Sequence, residues 1–421
     1  MQRYYMCIDQ KCFFATVECI ERGLDPFLTN LIVANPERGP GSICLAISPK
    51  LKSLGVKNRC RVFEIPRNIH YITAVPRMKK YIEYAANVYE VFLEYFSKDD
   101  IYVYSIDEAF IDCTYYLKMY NKTPVELAKD VIKSVHEKYG LTAAAGIGTN
   151  MYLAKIALDI TAKHAVDNVG YLDEEKYKEK LWHHRPLTDF WQIGSGIEKR
   201  LNKIGIYDMC AISQADPRSL YKEFGVNAEY LIDHSNGIEP CTIEDIKNYR
   251  TKSHSISNSQ ILMRDYSFEE AKVIVKEMVE VGSLRLVEEN KMTSLIHLYI
   301  GYSDDKIKNS DGSYRISTYC NGFKELSKAF ISLYDKIVDK KTTIRKIGVS
   351  FCELIEVKNE QFSLFVDQKE VEKERKLEKT INALKKEMGK NSITRGISHL
   401  ACATAIERNG MIGGHKSGES E

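Results

Sequence analysis

The sequence predicts an α+β chain of several domains. Three observations carry this expectation. At 421 residues the chain exceeds one ordinary core, so about two to four domains are expected. Its N-terminal part reads strand, hairpin, helix, strand, helix, an alternation typical of α+β folds. Residues 253–353 read as a complete βαββαβ unit, which points to a ferredoxin-like domain.

Composition narrows the class without naming a function. Hydrophobic residues make up 44% and charged residues 28%, the values of a soluble globular protein. A net charge of +2 gives no sign of a nucleic-acid partner, so any basic surface must be local. The eleven cysteines are scattered and contain no C-x-x-C, which argues against a disulfide framework or a zinc knuckle and for a reducing, cytoplasmic setting. No apolar run approaches a membrane span, and the chain opens straight into a strand pattern, so neither membrane nor signal peptide is expected.

Taken in order, residues 4–8 read as a short buried strand ending on Asp9, followed by Phe13, Phe14 and a helical start. Residues 31–34 and 42–47 read as strands around a tight Asn35–Gly41 loop. Ser48 then caps a short helix with Pro49 at its first position and Gly55 at its stop. Lys52 lies one turn in, placed to meet a triphosphate, or simply a surface lysine. Residues 76–96 have helical spacing, with Tyr81 near the start as a site or core aromatic. Residues 102–106 and 109–113 are strand-forming runs around Asp107 and Glu108, which the spacing puts at or beside a hairpin turn. Residues 124–139 read as an amphipathic helix, 141–148 as a strand and 150–157 as a helix. Lys155 stands in that last helix among apolar residues, an unusual setting for a structural lysine.

Adjacent carboxylates at a sheet end repel each other unless one is protonated or a divalent cation is bound. Asp107-Glu108 alone would suit a solvated turn, and Asp9 alone a cap. Together they form a candidate three-carboxylate, two-metal site.

Here the sequence resembles a known family. Asp9-x-x-x-Phe13-Phe14-Ala15-x-Val17-Glu18 and Ser105-Ile106-Asp107-Glu108-Ala109-Phe110-Ile111-Asp112 resemble the Y-family translesion DNA polymerases, in the UmuC-like branch of bacterial, Gram-positive type. The resemblance runs along nearly the whole chain. It implies a right-hand architecture: palm at 1–30 and 76–168, small fingers at 31–75, helical thumb at 169–240, little finger at 250–357 and a tail at 358–421. It implies low-fidelity synthesis past damaged template in DNA repair of the SOS type, from primer-template DNA and dNTPs, by a monomeric catalytic chain. Asp9, Asp107 and Glu108 would be catalytic ligands of two Mg²⁺ ions, with Mn²⁺ as a substitute, and the Gln10 carbonyl would assist. Phe14 would be the steric gate against a ribose 2′-OH, beside Phe13; Lys52, Tyr81 and Lys155 would contact the triphosphate. Lys11 stands where many members have a second acid, and Pro49 where many have Tyr, so one phosphate contact is missing or differently supplied.

The chemistry agrees. In-line nucleotidyl transfer uses paired divalent ions to stabilise attacking and leaving oxygens, and carboxylates are the hard ligands Mg²⁺ prefers.

Residues 169–235 read mostly as short helices. Gly194-Ser195-Gly196, with Lys199 following, resembles a helix-hairpin-helix whose glycines let backbone N–H groups approach a DNA phosphate; a plain helical hairpin is the alternative. In the family the βαββαβ unit is the little finger, which contacts the DNA backbone. Gln361-x-Ser363-Leu364-Phe365 resembles the bacterial sliding-clamp peptide, with Gln361 hydrogen-bonding and Leu364 and Phe365 filling an apolar pocket; a docked β-edge is the alternative. Residues 369–389 form a charged helix with a thin stripe of Leu377, Ile381, Leu384 and Met388, suited to pairing with another helix, and 410–418 read as a mobile end. Two other classes compete: a non-catalytic DNA-binding or recruitment protein with this architecture, and a nucleotide cyclase. The intact acidic triple speaks against the first, and the thumb and clamp peptide have no use in the second.

Overall fold

β-branched and aromatic residues build most strands of the N-terminal unit, and amphipathic segments build its helices. The computed structural model describes residues 2–251, 254–357 and 368–418, in two units, 1–249 with 416–421, and 250–415. In the first unit β1 (Tyr5–Gln10) leads into α1 (Phe13–Ile20). Next come β2 (Leu31–Val33), β3 (Ala46–Ile47), α2 (Pro49–Ser53) and β4 (Ile72–Ala74), a small three-stranded sheet in the order β3-β2-β4. Ser48 caps α2 as expected, its hydroxyl accepting from the Leu51 N–H at 3.3 Å. Helix α3 (Met78–Tyr95) precedes the hairpin of β5 (Ile101–Val103) and β6 (Glu108–Asp112). Then follow α4 (Thr114–Tyr120), α5 (Pro124–Tyr139), β7 (Ala143–Gly148), α6 (Met151–Ile156) and β8 (Val169–Leu172).

The central sheet has the order β5-β6-β1-β7-β8. Its register sets Cys7 against Phe110 and Asp9 against Glu108. Opposed residues share a face. Tyr5, Cys7 and Phe110 therefore pack beneath Met151, Ala154 and Leu158 in one core cluster. Strand β7 is built of small residues, and this lets α6 lie directly on it. A Cβ at Gly146 would sit 2.1 Å from the Ala154 carbonyl oxygen, and one at Gly148 2.3 Å from the Ala154 nitrogen.

The remaining helices of this unit are α7 (Glu174–Leu181), α8 (Ser195–Lys203), α9 (Met209–Gln214), α10 (Pro217–Phe224), α11 (Ala228–Ser235) and α12 (Ile243–Asn248). Two details correct the reading of 169–240. Its first four residues are β8, which pairs in parallel with β7 and belongs to the central sheet. The piece before Gly194 is a single 3₁₀ turn, Leu187–Asp189, rather than a full helix.

The second unit follows the expected order: β9 (Ile256–Tyr266), α13 (Phe268–Glu288), β10 (Lys291–Tyr302), β11 (Ser310–Cys320), α14 (Phe323–Ile337) and β12 (Ile344–Cys352). Its sheet order is β11-β10-β12-β9, antiparallel throughout. The strands that follow helices, β10 and β12, therefore hold the centre. A ferredoxin-like unit puts the strands that precede helices there, so that part of the expectation fails although both split βαβ crossovers are present.

Helix α15 (Gln368–Met388) packs on α13, through its polar side. Glu378, 1% exposed, accepts from the Ser283 hydroxyl at 3.0 Å and the Phe323 N–H at 2.8 Å. The Asn382 amide donates to the Leu284 carbonyl at 2.8 Å. Leu377 and Met388 of the expected stripe are exposed instead. The segment 410–418 is ordered rather than a loose end: Met411–Ile412 pairs with His415–Lys416, and the Lys79 N–H donates to the Ser417 carbonyl at 2.9 Å. Gln361, Leu364 and Phe365 lie outside the described residues. All eleven cysteines are free, and among the described residues no helix is long and apolar enough to cross a membrane.

Candidate active site

The site lies where β1, the β5–β6 turn and α6 meet. Asp9 sits near the end of β1 and Glu108 at the start of β6, in register across the ladder. Asp107 is in the adjoining turn, whose shape is held by the Tyr104 and Ser105 N–H groups donating to the Glu108 carbonyl at 2.9 and 3.0 Å. The Ser105 hydroxyl donates to the Asp107 carboxylate at 2.6 Å. The Gln10 N–H donates to the Asp107 carbonyl at 2.9 Å, tying the two acidic segments together. The three expected carboxylates thus come from neighbouring backbone.

Lysines compensate their charge. Lys155 reaches Glu108 at 2.7 Å and Asp159 at 3.1 Å. Lys163 reaches Asp159 at 2.7 Å and Asp9 at 3.7 Å. Asp9–Lys163–Asp159–Lys155–Glu108 therefore runs as an alternating chain of charge. Burial acts against the Lys155 ammonium, but Cys7, Glu108 and Asp159 outweigh it and keep its pKa above the ordinary lysine value. Burial, then the nearby Asp107 and Glu108, push Asp9 up to about 6, against the pull of Lys163. Cys7 donates its thiol to Glu108 at 3.0 Å, and burial holds that thiol well above its ordinary range.

Asp159 and Lys163 were not singled out from the sequence. The signal was the Lys-x₃-Asp-x₃-Lys spacing from Lys155 to Lys163, which puts all three on one side of the chain where it continues past α6. Residues Ala157–Thr161 wind as a π-helix, a form frequent at functional sites.

The donor set fits a divalent metal in its chemistry. It consists of hard carboxylate oxygens, and Asp9 is half-buried beside like charges that a cation would relieve. The lysine ammonium groups now carry that compensation. Among the described residues no group of three or more His, Cys, Asp or Glu side chains is gathered in metal-holding geometry.

Beside the acids, Phe13 is buried and its ring centroid lies 5.6 Å from that of Phe14, which is half-buried. Tyr81 is fully buried and stacks on Phe14 with centroids 4.5 Å apart and planes 26° apart. Its hydroxyl donates to Glu18 at 2.7 Å. Lys52 is exposed on α2, close enough to reinforce the lowering of the Lys11 pKa that burial begins. Gly194, Ser195, Gly196 and Lys199 are exposed at the start of α8, and a Cβ on either glycine would meet nothing within 4 Å.

Known proteins share this arrangement of segments. Residues 8–159 match the impB/mucB/samB family, and residues 253–364 match that family's C-terminal domain. UvrX of Bacillus subtilis, named for UV-damage repair, is 33% identical over 98% of this chain and 97% of its own. The chain belongs to the impB/mucB/samB family. DNA polymerase IV 2 of Bacillus subtilis is a further relative, 28% identical over 98% of this chain and 99% of its own. A Y-family DNA polymerase chimera of Dbh and Dpo4 has the same fold, with a TM-score of 0.64, 19% identity and coverage of 84% and 99%. The UmuC-like Y-family resemblance and the α+β, multidomain right-hand fold class are both borne out. The impB/mucB/samB match at 8–159 spans Asp9, Phe14, Asp107, Glu108, Lys155 and Asp159, and stops short of Lys163.

Proposed function

We propose that this chain is a template-directed DNA polymerase that adds dNTPs to a primer 3′-OH and copies past damaged template bases. One observation carries the reading: Asp9 and Glu108 stand in register on paired strands, with Asp107 in the adjoining turn, in a chain aligned end to end with UvrX. The relatives named as DNA polymerase IV support the reaction class.

In this reading Asp9, Asp107 and Glu108, with the Gln10 carbonyl, hold two Mg²⁺ ions, for which Mn²⁺ can substitute. When bound, the ions stabilise the attacking and leaving oxygens of an in-line displacement. The chain's own groups do the rest. Lys155 exchanges Glu108 for triphosphate oxygens, and its persistently protonated ammonium offsets their charge. Lys52 adds a second cation from α2. Phe13 and Phe14 floor the sugar, and Phe14 blocks a 2′-OH. The exposed amides at Gly194–Gly196, with Lys199, hold a DNA phosphate without reading sequence.

The domain scheme follows: palm at 1–30 and 76–172, fingers at 31–75, a helical thumb to 240, little finger at 250–357. Gln361, Leu364 and Phe365 form the sliding-clamp peptide, and the chain works as a cytoplasmic monomer. Replacing Leu364 and Phe365 with Ala should abolish clamp pull-down and leave clamp-free synthesis intact; retained binding removes the peptide.

Primer extension with purified protein, Mg²⁺ and four dNTPs, on undamaged and abasic templates, tests the main reading. Short extension that crosses the abasic site, lost in Asp107→Ala/Glu108→Ala, is expected. Extension that survives in that double variant would sink the site assignment.

A further inference from the structure

The motif residue Glu18 has no role in the reading above, yet it is the most heavily bonded carboxylate near the site. Its side chain is 0% exposed. Arg77 grips it with Nε and Nη2, each at 2.9 Å. Arg22, one turn on in sequence, also donates to the Glu18 carboxylate and to the Glu18 backbone carbonyl, the latter at 2.8 Å. The Tyr81 hydroxyl completes the shell at 2.7 Å. Burial works to raise the Glu18 pKa, but the donors from Arg77, Arg22 and Tyr81 together hold it below the ordinary value.

Such a cluster could merely lock α1 to α3. Its geometry is more directed than that. Phe14 and Glu18 are four residues apart on α1, so they stand one above the other on one face. Tyr81, on α3, spans both: its oxygen is fixed by Glu18 and its ring is stacked on Phe14. Phe14 is half-buried, while Phe13, Glu18 and Tyr81 are buried. The ring that faces the sugar is therefore backed by a ring that cannot slide unless the Glu18 bond breaks. Arg77 is in turn tethered to Glu21 at 3.6 Å, which steadies the cation that steadies Glu18.

We propose that Glu18 is a positioning residue for sugar selection, fixing Tyr81 through its hydroxyl and, through the Tyr81 ring, the place of Phe14. This rests on the reading of Phe14 as the gate.

The test is single-nucleotide insertion by the full chain, comparing kcat/KM for a dNTP and its rNTP opposite one template base. Glu18→Gln keeps volume and avoids stranding two arginines as Glu18→Ala would. Tyr81→Phe keeps the ring and removes only the hydroxyl. Each should raise the rNTP:dNTP ratio by about fivefold, within the worth of a charge-assisted hydrogen bond. Because both act through one bond, Glu18→Gln/Tyr81→Phe should raise it no further than the larger single change. Ratios that stay at the wild-type value while Phe14→Ala raises its own would overturn the role of Glu18 and leave the gate standing. Multiplying effects in the double variant would overturn it too. If Phe14→Ala leaves the ratio unmoved, the gate reading falls and this inference with it. A lowered melting temperature with an unmoved ratio would make the cluster only a structural clamp.

Discussion

Lys155 and Glu108 are 9% and 8% exposed in their side chains, so each is the other's main relief from a low-dielectric setting. Removing one partner leaves a buried charge uncompensated. Lys155→Met should lower unfolding free energy by about 3 kcal/mol, and adding Glu108→Gln should recover much of that. Urea titration of the two singles and the double reads this; a loss in the double variant equal to the sum of the two single losses would mean the pair is not coupled. At this scale the sequence was informative wherever chemistry is local. Asp9, Asp107 and Glu108 lie in strand-forming runs, and the structure brings them together through one ladder. Asp159 and Lys163 were missed because isolated charges in a helical stretch look like a solvated surface. Tyr81 was legible as a position but not as an orientation, since only the fold reveals that Glu18 holds its hydroxyl.

Elements depend on quieter residues. The approach of α6 to β7 requires glycine at 146, where a Cβ would press within 2.1 Å of the Ala154 carbonyl and the Leu158 nitrogen. Gly146→Ala should therefore destabilise the first unit by about 3 kcal/mol and displace Lys155, cutting primer extension more than melting temperature alone accounts for. A fully active, stable variant would show that the helix can lift without cost. In the second unit α13 begins with a capping box: the Glu270 N–H donates to the Ser267 hydroxyl at 3.4 Å, the Ser267 N–H to Glu270 at 2.9 Å, and Arg264 adds an ion pair at 2.6 Å. The Arg264 guanidinium, then the Ser267 N–H, pull Glu270 down to about 2. A depressed carboxylate stabilises the fold above its unfolded pKa and loses that contribution as pH falls through its folded value. Glu270→Ala should cost about 1 kcal/mol at pH 7, and the gap to wild type should close as pH drops from about 4.5 to about 2. A gap that does not depend on pH would assign the loss to helix propensity alone. Periodicity foretold α5 to the residue, since Thr123 and Gly140 bracket it with a capping box and a left-handed stop. It did not foretell β4 or β8, three and four residues long, whose strand character comes from their partners β2 and β7. Nor could it give the strand order of the second unit, because βαββαβ is compatible with more than one pairing.

At the scale of the chain, a net charge of +2 is consistent with a nucleic-acid enzyme only because cations are concentrated locally, as Lys11, Lys52, Lys155 and Lys163 are around the acids. The C-terminal stretch shows how pattern and packing part company. Its apolar stripe suggested pairing with another helix or protein, and α15 does pair with α13, but it does so through Glu378, Asn382 and Lys385 and leaves Leu377 and Met388 in solvent. Further on, Glu277, 2% exposed, accepts from the Thr404 and Ala405 N–H groups at 2.9 and 3.2 Å, capping the short helix Ala405–Asn409. Two buried carboxylates thus bind residues 368–409 to the second unit, and a stripe search cannot see polar anchors of that kind. A chain ended at 367 would leave the Phe323 N–H and the Glu277 carboxylate without these partners. Each buried polar group so stranded costs about 1–3 kcal/mol. Truncation at 367 should therefore destabilise the second unit by about 3 kcal/mol, with amide exchange accelerated along α13 and unchanged in β1 and β7. Unchanged exchange in α13 would mean that α15 only rests on its surface. Acceleration confined to α13 and the sheet beneath it would make residues 368–409 a structural part of the second unit.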